Sequence, residues 1–214
     1  MNADALRGTT VLVTGGAGFI GSHLVDALLA SGAKVRVLDN FETGRRENIA
    51  HVLEQIQLIE ADIRDLDTCQ HACEGVSFVL HQAALGSVPR SMATPANTLA
   101  VNVSGTANVF TAARDQKVRR VVYASSSSVY GTSVALPKRE GEEGRPVSPY
   151  ALSKWVDEEI AEVFERCYDL QLVGLRYFNV YGPRQDPNGA YAAVIPRFFA
   201  NCRAGKAPVI YGNG

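Results

Sequence analysis

Cysteine is scarce and poorly spaced for metal or redox work: the four, at 69, 73, 167 and 202, form no CxxC pair. We read all four as reduced structural thiols, which points to a cytosolic, cytoplasmic protein. None of His23, His51 and His71 has metal-ligand spacing to another, so no metal site is expected. An excess of one charge is also lacking. The 21 basic and 22 acidic side chains leave a formal net charge of -1, no basis for a nucleic-acid or anionic-membrane partner. No apolar run reaches the roughly 18 residues of a membrane span, and Met1 to Gly8 lack the core of a signal peptide. There is no internal repeat or low-complexity segment. What remains is ordinary globular composition: 214 residues, 46% hydrophobic and 20% charged, enough for one sizeable core and a small appendage.

The first recognisable unit lies near the start. Thr10 to Thr14 is a short β-branched run that breaks into Gly15-Gly16-Ala17-Gly18-Phe19-Ile20-Gly21. Ile20, Leu24, Ala27 and Leu28 then repeat at helical spacing as far as Ser31-Gly32, and Lys34 to Leu38 reads as a second strand ending at Asp39. Strand, glycine turn, helix, strand, acid is the order of a dinucleotide site. Glycines let backbone N–H groups approach a pyrophosphate, and the helix start favours its charge. Asp39 is placed to accept hydrogen bonds from an adenosine ribose and to repel a 2′-phosphate, favouring NAD over NADP, with Arg45 and Arg46 acting in the other direction.

Further short strands follow: Ile56 to Glu60, Phe78 to Leu80, Val121 to Tyr123 and Leu172 to Tyr177. They alternate with helical patterns at Leu66 to Cys73, Asn97 to Gln116 and from Pro149 onward. That alternation predicts an α/β fold with a doubly wound parallel sheet of Rossmann type. Asp62 and Ile63 follow the third strand, where ligands gather in such sheets. Asp62 has two readings, a partner for the adenine amino group or the N-cap of the following helix, and both stay open. His81-Gln82-Ala83-Ala84 closes the fourth strand; the small alanines leave room for a cofactor against the backbone, and His81 reads as structural.

The stretch from Tyr123 to Trp155 carries the chemistry. The strand is expected to release into Ser125, Ser126, Ser127 and Ser128, followed after about twenty residues by Ser148-Pro149-Tyr150-Ala151-Leu152-Ser153-Lys154. Tyr150 and Lys154 are four apart and share one helix face. An ammonium one turn away favours the phenolate form of a tyrosine, and a phenol, an ammonium and a serine hydroxyl together suit proton exchange at a sugar or alcohol C–OH.

These pieces resemble the extended short-chain dehydrogenase/reductase superfamily, within it the NAD-dependent sugar epimerases and dehydratases. The matching segments are TGGAGFIG at 14–21, DN at 39–40, AD at 61–62, HQAA at 81–84, SSSSVYG at 125–131, YALSK at 150–154 and LRYFNVYGPRQ at 175–185. The resemblance implies NAD held by Gly15, Gly18, Phe19, Ile20, Asp39, Asn40, Asp62, Ile63, Gln82, Ala83, Asn102, Tyr150, Lys154 and Tyr177. It implies a catalytic Ser126, Tyr150 and Lys154, and a homodimer built on a four-helix bundle from helices 97–116 and 149–168. Residues 1–177 would form the NAD-binding domain and 178–214 part of a substrate-binding region.

In the dehydratases of this family an Asp-Glu pair follows the catalytic Thr or Ser. Here those positions are Ser127 and Ser128, which cannot supply that acid and base, so dehydration is disfavoured and oxidation at C4 with return of the hydride remains. The segments 86–91 and 184–196 resemble the 4-epimerase branch acting on UDP-N-acetylglucosamine or UDP-glucose. Ser87, Ser127 and Ser128 would then surround a C2 N-acetyl or hydroxyl group, or be plain loop serines. Asn179 would hold the sugar, Tyr211 would pack on the uracil, and backbone near Ala193 and Val194 would meet the nucleotide. The alternatives are a UDP-glucuronate 4-epimerase, decarboxylase or dehydratase, or an NAD-binding protein without turnover. Past the expected strand Val209 to Tyr211 the family pattern continues into further substrate domain with a phosphate-binding arginine, so a truncated chain is expected.

Overall fold

The computed structural model describes residues 6–186, 194–210 and 212. It divides into two compact units, 1–178 and 179–214. The first holds a six-stranded parallel sheet: β1 (Thr10–Thr14), β2 (Lys34–Asp39), β3 (Ile56–Glu60), β4 (Phe78–His81), β5 (Arg120–Ser126) and β6 (Leu172–Tyr177), in the order β3-β2-β1-β4-β5-β6.

Alternation along each strand splits the core in two. Val11, Val13, Val35 and Val37 face one way and pack with Val25 and Leu28 of α1 (Phe19–Ala30) and with Ile49. Leu12, Leu38, Val79 and Val121 face the other way, against α2 (Leu66–Cys73), the helical segment around Phe110, and Ala161 and Phe164 of α6 (Pro149–Tyr168). Strands buried on both faces must be apolar at successive positions, which is why TVLV reads as a continuous run. Phe110 is fully buried and meets Tyr123 and Phe164 edge to face, with ring centres 5.4 and 5.9 Å apart.

Several boundaries differ from expectation. β5 runs on through Ser125 and Ser126, because those residues pair with Arg176 and Tyr177 of β6; the polar loop therefore starts two residues later than composition suggests. The helix expected over Asn97 to Gln116 begins at Pro95 and is interrupted: α4 (Pro95–Leu99) passes into a π-helical turn, Ala100–Ser104, and then α5 (Gly105–Asp115). A short α3 (Val88–Ala93), capped by Ser87, precedes it and was not anticipated. In α2 the N-cap is Asp65, whose carboxylate accepts from the amides of Asp67 and Thr68. The capping reading of Asp62 is thereby overturned: a cap must sit directly before the first helical residue, and Asp62 is too early.

The second unit contains α7 (Val194–Arg203). Val209 and Ile210 carry no strand pairing, so the strand expected there is not formed among the described residues. All four cysteines are free, and among the described residues there is neither a candidate metal cluster nor a helix long and apolar enough to cross a membrane.

Candidate functional site

Strand order reverses between β1 and β4: the chain moves outward through β2 and β3, then returns to the far side of β1. Connections leave those two strands in opposite directions, which opens a crevice at their carboxyl ends. The loops after β1 and β4 meet there. Gly15 has φ +68°, and a Cβ on it would stand 2.7 Å from the amide nitrogen of Ala83. The crevice is lined by Gly15, Gly18, Asp39, Asn40, Asp62, Ile63, Gln82, Ala83 and Ala84, all singled out from sequence, and by Leu38, Glu42, Thr43, Ala61, Leu85 and Val101, which were not. Glu42 and Thr43 were missed because they belong to the turn after β2, whose course follows from Phe41 entering the left-handed region at φ 58°.

α1 begins at this crevice. Its N-cap is Gly18, no side chain caps it, and its first turn has no acidic residue. The N–H groups at a helix start have no intrahelical partner, so those of Phe19 and Ile20 are left for an anion. A dinucleotide fits this donor set: an uncapped helix start for the diphosphate, glycines where side chains would obstruct, and a buried acid for a ribose.

That acid is Asp39. Its Oδ2 accepts the Ala17 amide at 2.9 Å and its Oδ1 the Phe41 amide at 2.8 Å, so it shapes the glycine turn as well as lining the crevice. Burial pushes its carboxyl up, against the pull of those two amides. Arg46 is occupied elsewhere, paired with Glu60 and stacked 4.3 Å over the Phe41 ring. Asp62 accepts from Asn40 at 2.8 Å and from Arg64 at 2.6 and 3.0 Å; the guanidinium holds its carboxyl down at about 2.

Asn102 lies in the π-helical turn, fully buried. Its Oδ1 accepts the Leu85 amide at 2.8 Å and its Nδ2 donates to Ser153 Oγ at 2.9 Å. It ties the loop after β4 to α6. Extra π residues of this kind commonly occur where a helix presents a functional side chain. Ser153 in turn donates to the carbonyl of Tyr150 at 2.8 Å.

α6 starts with Ser148 accepting the Ala151 amide at 3.1 Å and with Pro149 in its first turn. It packs on the 3₁₀ turn Ser127–Tyr130 that follows β5. Ser126 ends β5, buried, its hydroxyl accepting the Ser128 amide at 3.1 Å; Ser127 and Ser128 are half-buried on the turn. Lys154 is buried and donates to Asp157 Oδ2 at 3.1 Å. Asp157 did not emerge from the sequence, although its i,i+3 spacing from Lys154 was a readable signal. Tyr177, at the end of β6, meets the Gln82 side chain, and burial raises its phenol. His81 is fully enclosed and held neutral, its imidazole pushed down to about 3 by burial and by the Lys154 charge.

Of the residues expected at the substrate, Ser87 caps α3 by accepting the Arg90 amide at 3.2 Å. Asn179 and Val194 are exposed residues of the second unit. Ala193 and Tyr211 lie outside the described residues.

Comparison with known proteins agrees with this fold. The model of the NAD dependent epimerase/dehydratase family matches residues 11–214. A UDP-glucose 4-epimerase of Mycolicibacterium smegmatis is 43% identical over 207 residues, covering 95% of this chain and 66% of that protein. The structure of a UDP-N-acetylglucosamine 4-epimerase from Methanobrevibacter ruminantium, in complex with UDP-N-acetylmuramic acid, superposes with a TM-score of 0.93 at 42% identity, covering 97% of this chain and 67% of that one. A UDP-glucose 4-epimerase from Thermus thermophilus in complex with NAD gives 0.83 at 41% identity, covering 92% of this chain and 64% of that one. The chain thus spans about two thirds of the length of these relatives.

Proposed function

The chain belongs to the NAD dependent epimerase/dehydratase family, and from that premise we propose that it is the cofactor-binding and proton-transfer part of a UDP-sugar 4-epimerase. One observation carries the reading: Tyr150 and Lys154 stand one turn apart on α6, with the lysine buried and held by Asp157 instead of extending into solvent. Ser126 belongs to the adjoining strand end.

NAD would be held by the start of α1, by Asp39 and Asn40 at one end, and by Tyr150, Lys154 and Tyr177 at the other. When bound it supplies a hydride acceptor and donor. Tyr150 takes the proton from the sugar 4-hydroxyl, Ser126 hydrogen-bonds the same oxygen, and Tyr150 returns the proton once the opposite face has been reduced. Ser127 and Ser128, where an acid pair would serve dehydration, restrict the chemistry to C4. Within the class we favour UDP-N-acetylglucosamine, supported by the small hydroxyl side chains of Ser87, Ser127 and Ser128 and by likeness to an epimerase of that name. Half-exposed Leu152, Trp155 and Val163 on α6 support pairing with a second copy through α5 and α6.

The test is to incubate the protein with NAD and, separately, UDP-N-acetylglucosamine, UDP-glucose and UDP-glucuronate, and to resolve the C4 epimers. Tyr150→Phe is expected still to bind NAD while turnover falls by about 10² to 10⁴. Retained turnover in that variant sinks the assignment.

A further inference from the structure

Asp157 is wholly buried in the middle of α6, and while its Oδ2 accepts from Lys154, its Oδ1 is buried without a hydrogen-bond partner. A half-satisfied buried carboxylate costs stability, and neither capping nor core packing calls for one at this point of the helix. The groups facing it are Thr106 on α5, Tyr123 on β5, and Lys154 and Glu158 on α6, while His81 on β4 lies against Thr106 and feels the Lys154 charge. Glu158 is already taken by Arg176, at 2.7 and 2.9 Å, and by Ser125, so it is no substitute counter-ion for the lysine.

The polar neighbours form an ordered string. Thr14 Oγ1 accepts the Ala83 amide at 3.3 Å and lies 2.6 Å from His81 Nδ1. His81 Nε2 lies 3.0 Å from Thr106 Oγ1. The simplest assignment has Thr14 donating to Nδ1 and a neutral imidazole donating from Nε2 to Thr106. The Thr106 hydroxyl stands beside Asp157 and favours its charged form, without closing a hydrogen bond to Oδ1. The string runs from the residue before the glycine turn to Thr106, beside the carboxylate that holds the ammonium one turn from Tyr150.

We propose that Asp157 is the positioning residue for Lys154: its buried carboxylate, through Oδ2, holds the ammonium where it meets the nicotinamide half of the dinucleotide, and it acts on the cofactor only through that lysine. This rests on the reading of Lys154 as a cofactor contact given above. A lysine has three donors, so one spent on Asp157 fixes a flexible side chain and leaves two for ribose hydroxyls. Burial pushes the Asp157 carboxyl up to about 6, against the pull of Lys154, so the lysine loses its charged partner as pH falls through that value.

Two measurements on the full chain test this. In the protein without nucleotide, the side-chain NMR resonance of Lys154, assigned with Lys154→Arg, should show an inflection near pH 6 that Asp157→Asn abolishes. Absence of the inflection in the parent, or its survival in the variant, overturns the proposal whether or not NAD binds. By calorimetry at pH 7, Asp157→Asn should weaken NAD binding on the order of tenfold, the scale of one charge-assisted hydrogen bond. In a Lys154→Met background the same change should do nothing further. Equal binding by Asp157→Asn, or additive losses in the double variant, also overturns it. If the parent binds no NAD while the NMR inflection is present and carboxylate-dependent, the proposed function fails and the pairing stands.

Discussion

Gly21 sits so close beneath the glycine turn that a Cβ on it would stand 2.1 Å from the carbonyl oxygen of Gly15. Both partners are backbone, so neither yields by a rotamer change; α1 approaches the turn only because the side chain is missing. The helix start that faces the crevice therefore owes its place to a contact on the far side of the turn.

Gly21→Ala is accordingly expected to push α1 off the turn. The predicted cost is about 1–3 kcal/mol of stability, with NAD affinity falling by more than the stability loss alone produces, since the donors of Phe19 and Ile20 move. Denaturant unfolding and calorimetry read the two effects. An unchanged affinity would show that the helix start is not what holds the diphosphate.

Asp62 gives a pH dependence of known sign. Its folded pKa, about 2, is depressed below the ordinary carboxyl value of about 3.9. Its contribution is therefore fully present above the unfolded value and disappears as pH falls through the folded one. The side chains are 26% and, for Arg64, 41% exposed, so solvent screens the pair. Asp62→Asn should then cost only on the order of 1 kcal/mol at pH 7, with the gap to the parent closing towards pH 2. A gap that stays constant across that range would rule out the ion pair as its source.

His81 acts in the same direction but over a different window. Its folded pKa is lowered to about 3, beneath the unfolded value of about 6.5. Between these values the unfolded chain binds a proton that the folded one refuses, so stability declines as pH drops from about 6.5 towards 3. His81→Gln, which does not titrate, should flatten that slope in urea unfolding series between pH 4 and 6.5. An unaltered slope would mean that the enclosed imidazole is not what limits acid stability.

The sequence by itself determined the parallel sheet, the glycine turn, the acid at the end of β2 and the helix carrying Tyr150 and Lys154, because each rests on local spacing: apolar runs buried on both faces, a positive φ, a proline in a first turn. The family resemblance also pointed to Asn102, but could not say that its amide is consumed by Leu85 and Ser153. Only the tertiary structure decided partners. It gave Asp62 to Arg64 and Asn40, made Asp65 the cap, extended β5 through Ser126 by pairing with β6, and closed Thr14, His81 and Thr106 into one string next to Asp157. Those four residues come from four different elements, and which polar groups meet in a core depends on how strands and helices stack, a long-range matter that no local pattern encodes.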